Sequence, residues 1–561
     1  MFFSAARRRR PGRPESAPLP SRASSGQIAR LLFGTLLALA VAGGDSRGQP
    51  APAPAATSRI GAIRIRALDV FSPEEASRGW VYRTANAVRF KTREAVIRRF
   101  LLFHEGDVFE PARLEETERN LRVLPFLKAA TVSAGPPHDG VVDVEVVTQD
   151  AWTTEPGVSF GGKGGATTYG FVLREKDFLG SGRQIAVSYD KDTERTNRSV
   201  RYTDPYLFGP YWLGDFAYSS NSDGNETRIA VTRPFVSFVD RRSSQALYDR
   251  LTLNDRIFAN GETLSRYSLK REQATARQGW ALDATNDRAR RIFVGFDSVN
   301  DRFSLLDTSP APVLPGDRRF RYVTFAYQDV TNDFLKLNYV NRDVRFEDFN
   351  LGRNFIVEIG VSPAVFGIDR TTERFRAAIE QGWRLGPGSF LSAALEYRTR
   401  WDGDPRNEIL SGRVLFVHKF DGIRPLQTFV SRLTFDRGWN LDRDVQFFAD
   451  GDNGLRGYRL YAFEGDKRVI FNAEQRFFLA REFLQLFSPG AAVFFDTGAA
   501  TPPGQPLRFS DFRSDVGVGI RISISRAATN SVLRLDLSYA LDRDPRGRRG
   551  LLVSFSSGQV F

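Results

Sequence analysis

Charged side chains recur at two-residue spacing in the last third of the chain. Glu474 and Arg476 stand two positions apart, and so do Asp496 and Gly498. If each segment is a β-strand, alternation places both members of a pair on one face. Two carboxylates on a shared interior face would need a cation. Arg456 is the candidate, because a guanidinium binds carboxylates with a bidentate, fixed geometry that lysine cannot reproduce.

The same sequence offers little for catalysis, metal binding or nucleic-acid binding. Cysteine is absent, and the three histidines (His104, His138 and His418) are widely scattered. A disulfide framework, a thiolate metal site and a histidine metal site are therefore not expected. No G-x-S-x-G motif with suitably placed His and Asp occurs, and the arginines alternate with acids instead of forming a basic patch. We expect no enzyme, no cofactor and no nucleic-acid partner.

Alternation with period two dominates the chain after Pro156. In residues 531–541 the apolar side chains and the polar ones fall on opposite faces: Leu533, Leu535, Leu537, Tyr539 and Leu541 against Arg534, Asp536 and Ser538. Residues 515–525 repeat the pattern, with Arg521 on the polar face. We interpret 157–561 as a transmembrane antiparallel β-barrel with apolar residues towards lipid and charges towards a wet lumen. A soluble sandwich with reversed faces would show the same alternation.

The strand number is less well determined. About sixteen strands would use roughly 25 residues each, loops included. The number of alternating segments is larger than that, so we expect some of those between 240 and 420 to be hairpins standing in extracellular loops.

Two regions precede the barrel segment. Residues 1–42 have basic residues, an apolar stretch and the small-residue site Ala40-Val41-Ala42, which predicts a signal peptide and not a membrane anchor. Residues 43–58 are a Pro/Ala linker. Residues 59–150 form a mixed α+β pattern. It predicts a strand at 60–65, helices over 93–103 and from Pro111, and strands over 130–133 and 141–146.

This β-α-α-β-β order resembles a POTRA domain, with a generic α+β domain as the alternative. The later motifs resemble the BamA/TamA-like outer-membrane assembly superfamily, also called the bacterial surface antigen family. The matching segments occur in family order: 178–183, 203–207, 454–459, 474–476, 494–498, 517–521, 533–539 and 555–561.

The resemblance implies roles for named residues. It implies that a loop folds into the barrel and is held there by a loop latch made of Arg456, Gly457, Tyr458, Glu474, Arg476, Asp496 and Gly498. Arg521, Arg534 and Asp536 would face the lumen. Phe555, Gly558 and Phe561 would belong to an outer-membrane targeting strand. The alternative for Arg456 is an ordinary solvated loop.

The expected function is the assembly of proteins in the bacterial outer membrane, with the POTRA-like domain in the periplasm. The partners would be the lipid bilayer, unfolded outer-membrane or secreted clients, and periplasmic accessory proteins. Clients would pair with the POTRA-like domain and then with a seam between the first and last barrel strands. Two alternatives remain open: a two-partner secretion transporter that exports one client through the lumen, and a passive porin or surface antigen.

Overall fold

The protein is described from a computed structural model. The described residues are 58–77, 79–88, 90–163, 166–192, 194–209, 211–341, 345–479, 482–483, 487–524 and 532–557. The predicted signal peptide, the linker up to residue 57, and the predicted targeting residues Gly558 and Phe561 lie outside them.

The N-terminal α/β domain has a three-stranded sheet covered by helices. Its elements are β1 (Arg59–Leu68), α1 (Pro73–Ser77), α2 (Trp80–Val88), α3 (Glu94–Arg98), α4 (Pro111–Arg122), β2 (Leu127–Ala134) and β3 (Val141–Asp150). The sheet order is β1-β3-β2, with β1 parallel and β2 antiparallel to β3. Alternate residues of β3 are buried, and with α3 and α4 they form the core of the domain.

The helices of this domain differ from the predicted pair. Helices α1 and α2 lie in a stretch for which no element was predicted. The helix expected over 93–103 ends at Arg98, because the chain turns there to bury Leu101 and Phe103 in the core. The carbonyl of Leu101 accepts a hydrogen bond from the hydroxyl of Tyr211 at 2.8 Å. The helix from Pro111 has the proline in its first turn, as predicted.

The rest of the chain is almost entirely β-strand. In chain order the strands are β4 (Thr154–Lys163), β5 (Ala166–Glu175), β6 (Gln184–Lys191), β7 (Thr196–Asp204), β8 (Leu213–Asn221), β9 (Gly224–Arg233), β10 (Arg242–Ala259), β11 (Glu262–Ala284), β12 (Arg288–Leu305), β13 (Arg318–Thr331), β14 (Phe334–Leu337), β15 (Glu347–Asn350), β16 (Asn354–Ser362), β17 (Thr372–Gly386), β18 (Ser389–Trp401), β19 (Pro405–Phe420), β20 (Leu426–Trp439), β21 (Phe447–Ala449), β22 (Phe463–Gly465), β23 (Lys467–Phe478), β24 (Phe487–Thr501), β25 (Arg513–Ile524), β26 (Val532–Ala540) and β27 (Leu551–Ser557). Two pairs, β14–β15 and β21–β22, form small separate hairpins.

The remaining strands close into one barrel, and over the described residues they number twenty. The expectation of about sixteen was wrong. Most segments between 240 and 420 are wall strands, because each pairs with a neighbour on both sides. One pair, β14–β15, is a hairpin outside the wall as expected, but it lies at the end where the N-terminal domain joins the barrel. More strands make a wider barrel, which leaves room for inserted segments. Among the described residues, none of the helices has the length and apolar character needed to cross a bilayer.

Opposite faces of the strands have opposite chemistry. On β25, Ile520 is 54% exposed while Arg521 is 3% exposed. On β26, Leu537 is 42% exposed while Asp536 and Ser538 are fully buried. The apolar face therefore points outward and the charged face inward, which is the reverse of a soluble sandwich.

Strand alternation defines two ends of the barrel. The turns that follow β5, β7, β9 and β13 lie at the end where β4 leaves the N-terminal domain; we call it the domain-side end. The loop that joins β20 to β23 lies at the opposite, far end. Two insertions matter for the site. The inner hairpin (332–353) carries β14 and β15 at the domain-side end, and the latch loop (440–466) carries β21 and β22 at the far end.

The domain packs on the turns of the domain-side end. Tyr206 lies in the core of the domain, and its hydroxyl donates to the carbonyl of Val96 at 3.3 Å. Asp177 accepts a hydrogen bond from the hydroxyl of Thr92 at 2.8 Å. Segments 178–183 and 203–207, which resemble family strand motifs, thus lie in or beside turns that hold the domain.

Candidate functional site: a buried ion-pair cluster inside the barrel

Four adjacent strands supply the walls of the site. Strands β23 to β26 pair in antiparallel order, and their register sets Asn472 opposite Asp496 and Asp496 opposite Asp515. Glu474 stands two residues after Asn472, so both point inward, and each is fully buried. The alternation noted in the sequence thus places the carboxylates on one interior wall.

Arg456 of the latch loop reaches this wall. Its Nε and Nη2 donate to the two carboxylate oxygens of Asp496 at 2.7 and 2.9 Å, a bidentate pair. Its Nη1 donates to Oε2 of Glu474 at 2.6 Å. The guanidinium also lies 3.4 Å from the centre of the Phe494 ring, in cation–π contact. The side chain is 3% exposed, so Arg456 does not lie in a solvated loop.

Glu474 binds a second arginine with its other oxygen. Nε of Arg476 donates to Oε1 of Glu474 at 2.9 Å. Nη1 of Arg476 donates to the carbonyl oxygen of Val340 at 2.8 Å. Val340 belongs to the inner hairpin, so the Glu474–Arg476 pair joins the latch loop to a segment that enters from the opposite end of the barrel.

The residues predicted to face the lumen complete the cluster. Arg521 donates to Oδ1 of Asp536 at 2.5 Å and to Oε2 of Glu474 at 3.4 Å. Nε of Arg534 lies 3.2 Å from Oδ2 of Asp536. Asp536 also lies 3.8 Å from Nη1 of Arg456. These three residues therefore belong to the same cluster as the latch and are not a separate surface.

Backbone fit holds the tip of the latch loop against the wall. A Cβ on Gly457 would lie 2.5 Å from Cβ of Asp515 and 3.0 Å from the amide nitrogen of Ala540. The hydroxyl of Ser538 donates to the carbonyl of Arg456 at 2.8 Å. The hydroxyl of Tyr458 donates to the carbonyl of Ser514 at 2.9 Å.

Two further contacts involve residues of β23 and β24. Asn472 donates to the carbonyl of Gly454 at 2.6 Å and to Asp496 at 2.7 Å. A Cβ on Gly498 would lie 2.7 Å from the carbonyl oxygen of Val469. Asn472 therefore ties the loop to β23 at Gly454, and Gly498 allows β24 to approach β23 closely.

The base of the latch loop is held separately at the far end. Gln446 exchanges two hydrogen bonds with the backbone of Phe258, at 2.9 and 2.8 Å. Asp444 accepts from Nη2 of Arg318 at 2.7 Å, and Asp442 pairs with Arg400 at 3.1 Å. Loss of the Arg456 contacts would thus free the tip before the base.

The cluster is charged and shielded from water. Four arginines (456, 476, 521 and 534) lie among the carboxyl groups of Glu474, Asp496 and Asp536, and Asp515 stands opposite Asp496 in the sheet. Burial opposes the charge of Arg456, but the attraction of Asp496 and Glu474 outweighs it, and the pKa of the Arg456 guanidinium lies above its usual range. Such a cluster fixes geometry by mutual hydrogen bonds.

No metal-binding arrangement accompanies the cluster. Among the described residues, no group of three or more His, Asp or Glu side chains could hold a metal ion. The arrangement can hold two inserted segments in place, and it can release them if one charge is removed.

The structure brings together all seven residues of the predicted latch and the three predicted lumen residues. Phe555 lies apart, opposite Leu535 on the outward face. Sequence reasoning missed Asp515 and the inner hairpin, and it placed Ser538 on the polar face without a role in the latch. Asp515 has the inward parity of Arg521, which could have indicated it. The alternating residues of β14 resemble a wall strand, so nothing local marked the hairpin.

Comparison with known proteins gives a curated relative that matches part of the chain. No protein-family model matches the chain. A Treponema pallidum (strain Nichols) protein described as "Putative outer membrane protein assembly factor" is 28% identical over 179 residues, which cover 29% of this chain and 21% of that protein. The chain therefore spans about a fifth of the length of this curated relative.

The solved structures that align with the chain are more distant in sequence. CdiB from Acinetobacter baumannii aligns with a TM-score of 0.46 at 12% identity, covering 94% of this chain and 96% of that chain. BamA from Haemophilus ducreyi, lacking POTRA domains 1–3, aligns with a TM-score of 0.36 at 12% identity, covering 89% and 84%. Over its matched 179 residues the curated relative, together with the ordered motifs, supports the resemblance of the chain to the BamA/TamA-like outer-membrane assembly superfamily.

Proposed function

We propose that this protein assembles other proteins in the bacterial outer membrane, and that clients pair with strands at a lateral seam of its barrel. The observation that carries the proposal is the double contact of Glu474 and Arg476. These residues bind the latch loop, which enters from the far end, and the inner hairpin, which enters from the domain-side end. Both segments cross the interior at this level, so the seam is a more direct route for a client than the lumen.

The seam lies next to the latch. Strands β27 and β4 are neighbours in the barrel. The hydroxyl of Ser538 in β26 donates to the carbonyl of Arg456. In the strand register, Ser538 stands opposite Leu552 of β27. The latch loop is thus anchored one strand from the seam. Strand β27 has serine at 554, 556 and 557, and β4 has glycine at 157, 161 and 162. Few cross-strand side-chain pairs are available to hold such strands together.

The N-terminal domain supplies the proposed first contact with clients. Its sheet order leaves β2 at one edge, and an extended client strand can add to such an edge through main-chain hydrogen bonds. We propose that the domain is POTRA-like and lies in the periplasm, that the outward apolar face of the barrel contacts the lipid bilayer, and that periplasmic accessory proteins deliver clients.

The main alternative is a transporter that exports one client through the lumen. Export would require the inner hairpin and the tip of the latch loop to leave the interior together. A passive porin or surface antigen is a third possibility, and it would need neither a seam that opens nor a client.

Reconstitution distinguishes the three. The purified protein is placed in lipid vesicles with its N-terminal domain outward, and a urea-unfolded β-barrel client and a secreted β-rich client are added. The proposal predicts that the barrel client becomes membrane-inserted and heat-modifiable, faster than in empty vesicles. Accumulation of the soluble client inside the vesicles, without barrel insertion, would favour the exporter. No effect on either client would favour the passive role.

A further inference from the structure

The inner hairpin fills a place inside the domain-side end of the barrel. Leu335, Leu337, Val340 and Leu351 of the hairpin form an apolar cluster with three inward residues of the wall: Phe390, Val417 and Val430. The hairpin backbone is tied to the wall as well, since the hydroxyl of Thr428 donates to the carbonyl of Tyr339 at 2.6 Å. The hairpin is therefore a packed insertion and not a loose turn.

The inner end of the hairpin is bound to the latch cluster. The carbonyl of Val340 accepts from Arg476, whose Nε holds Glu474. Val340 is 1% exposed and Arg476 is 1% exposed. Withdrawal of the hairpin would leave a buried guanidinium proton without its acceptor, which is costly.

The outer end of the hairpin is bound to α4 of the N-terminal domain. Nη2 of Arg122 lies 2.9 Å from both carboxylate oxygens of Asp348, and its Nε donates to one of them at 3.2 Å. The guanidinium of Arg119 lies 4.8 Å from the centre of the Phe334 ring. Lys336 lies 3.4 Å from Oε1 of Glu118. The side chains of Arg122 and Asp348 are 12% and 13% exposed, so water screens this pair less than a surface pair.

Glu118 also touches the edge of the domain sheet. Its Oε2 accepts a hydrogen bond from the backbone N–H of Val132 in β2 at 3.1 Å. Oε1 of the same carboxylate pairs with Arg122 and Lys336. A strand that added to β2 would compete with Glu118 for that N–H, and a displaced Glu118 would no longer position Arg122 towards Asp348.

From these contacts we propose that the inner hairpin couples the edge strand of the N-terminal domain to the latch. Displacement of Glu118 or of α4 loosens the contact of Arg122 with Asp348, and the hairpin then withdraws. Arg476 loses its hydrogen bond to the Val340 carbonyl as a result. The ion pair of Glu474 with Arg456 is thereby weakened. The identity of the displacing ligand, an extended client strand, rests on the proposed function. The coupling itself does not, because it is carried by contacts within this chain.

The test uses the full-length protein without any client. The chain has no cysteine, so a single introduced cysteine reports the exposure of one buried position. Val340→Cys reports on the hairpin, and Ala449→Cys reports on the latch loop. Ala449 is fully buried and packs with Leu455 and Tyr458. Each reporter is combined with Asp348→Asn, which keeps the size of the side chain and removes its charge. The rate of labelling by a water-soluble maleimide is measured in detergent and in vesicles.

The matched control is Asp283→Asn. Asp283 pairs with Arg290 at 2.7 Å near the domain-side end and forms no hydrogen bond or ion pair with the described residues of the hairpin. We expect Asp348→Asn to raise labelling at both reporters about fivefold or more, the lower range of an allosteric coupling, and Asp283→Asn to change neither. A rise at Val340→Cys alone would overturn the coupling and leave the hairpin a passive insertion. No rise at either reporter would overturn the role of Asp348 as its anchor.

Reciprocity gives an independent check. If the two sites are coupled, Arg456→Lys should also raise labelling at Val340→Cys, because coupling acts in both directions. Unchanged hairpin labelling in Arg456→Lys would contradict the coupling even if the Asp348 result agreed with it. Neither result depends on whether the protein assembles clients, so failure here leaves the proposed function to its own test.

Discussion

Arg456 and Arg476 hold opposite oxygens of one buried carboxylate. Arg456 takes Oε2 of Glu474 and Arg476 takes Oε1. Arg456 belongs to the latch loop, which enters from the far end of the barrel. Arg476 donates a hydrogen bond to the carbonyl of Val340 in the inner hairpin, which enters from the domain-side end. A single wall residue therefore supports both inserted segments, and the two are expected to respond to the same changes.

Neutralising Glu474 should loosen both segments together. Glu474→Gln keeps the shape of the side chain but deprives three buried guanidinium groups (Arg456, Arg476 and Arg521) of one carboxylate. Breaking a buried pair in this way costs about 3–5 kcal/mol. We expect faster maleimide labelling at both Val340→Cys and Ala449→Cys. Glu396→Gln, which neutralises the half-exposed partner of Arg376, serves as control and should leave both rates unchanged. Labelling of one reporter only would show that Glu474 is not the shared support.

Arg456 should tolerate neither alanine nor lysine. Arg456→Ala removes the bidentate pair with Asp496, and Arg456→Lys keeps a charge but cannot reproduce two parallel hydrogen bonds. Both variants should still insert as barrels. Heat-modifiability on gel electrophoresis should show that they unfold at a lower temperature than the wild type. Both should assemble clients less well, and lysine should restore little of what alanine loses. Wild-type heat-modifiability together with wild-type client assembly in the alanine variant would contradict the latch.

Gly457 should be sensitive to one added methyl group. In Gly457→Ala the new Cβ would lie 2.5 Å from Cβ of Asp515, and overpacking of this kind costs about 1–3 kcal/mol. The loop tip should then lift from the wall, which labelling at Ala449→Cys would detect. Gly316→Ala is the control, since a Cβ there meets nothing within 4 Å. Equal labelling in the two alanine variants would mean that close packing at Gly457 does not seat the loop.

The inward-facing residues of the wall of the site could be predicted from the sequence. Two-residue spacing puts Glu474 and Arg476 on one face, and the apolar character of Ile520 and Leu537 tells which face is outward. These are local properties of single strands. The ion pairs of Arg456 with Glu474 and Asp496 followed once the loop was assigned by resemblance.

Properties that depend on contacts between distant segments could not be predicted from the sequence. The number of wall strands depends on which segments pair, and alternation is the same in a wall strand and in a loop hairpin. The inner hairpin has the pattern of a short strand, and its partners Arg122 and Arg476 lie far away in the chain. Helix α3 ends early because of tertiary burial of Leu101 and Phe103, which a helical period does not reveal.

The central claim is that clients enter through the seam between β27 and β4, and a reversible cross-link tests it most directly. One cysteine is placed in 157–163 and one in 551–557, and pairs are scanned for disulfide formation, which needs Cα atoms about 4.4–6.8 Å apart. The control pair is Leu537→Cys with Val553→Cys, which joins β26 to β27 at a known register and leaves the seam free. The account predicts that oxidation of the seam pair stops client insertion in vesicles, that reductant restores it, and that the control pair has no effect. A quantitative seam disulfide with undiminished insertion would contradict lateral entry and favour passage through the lumen.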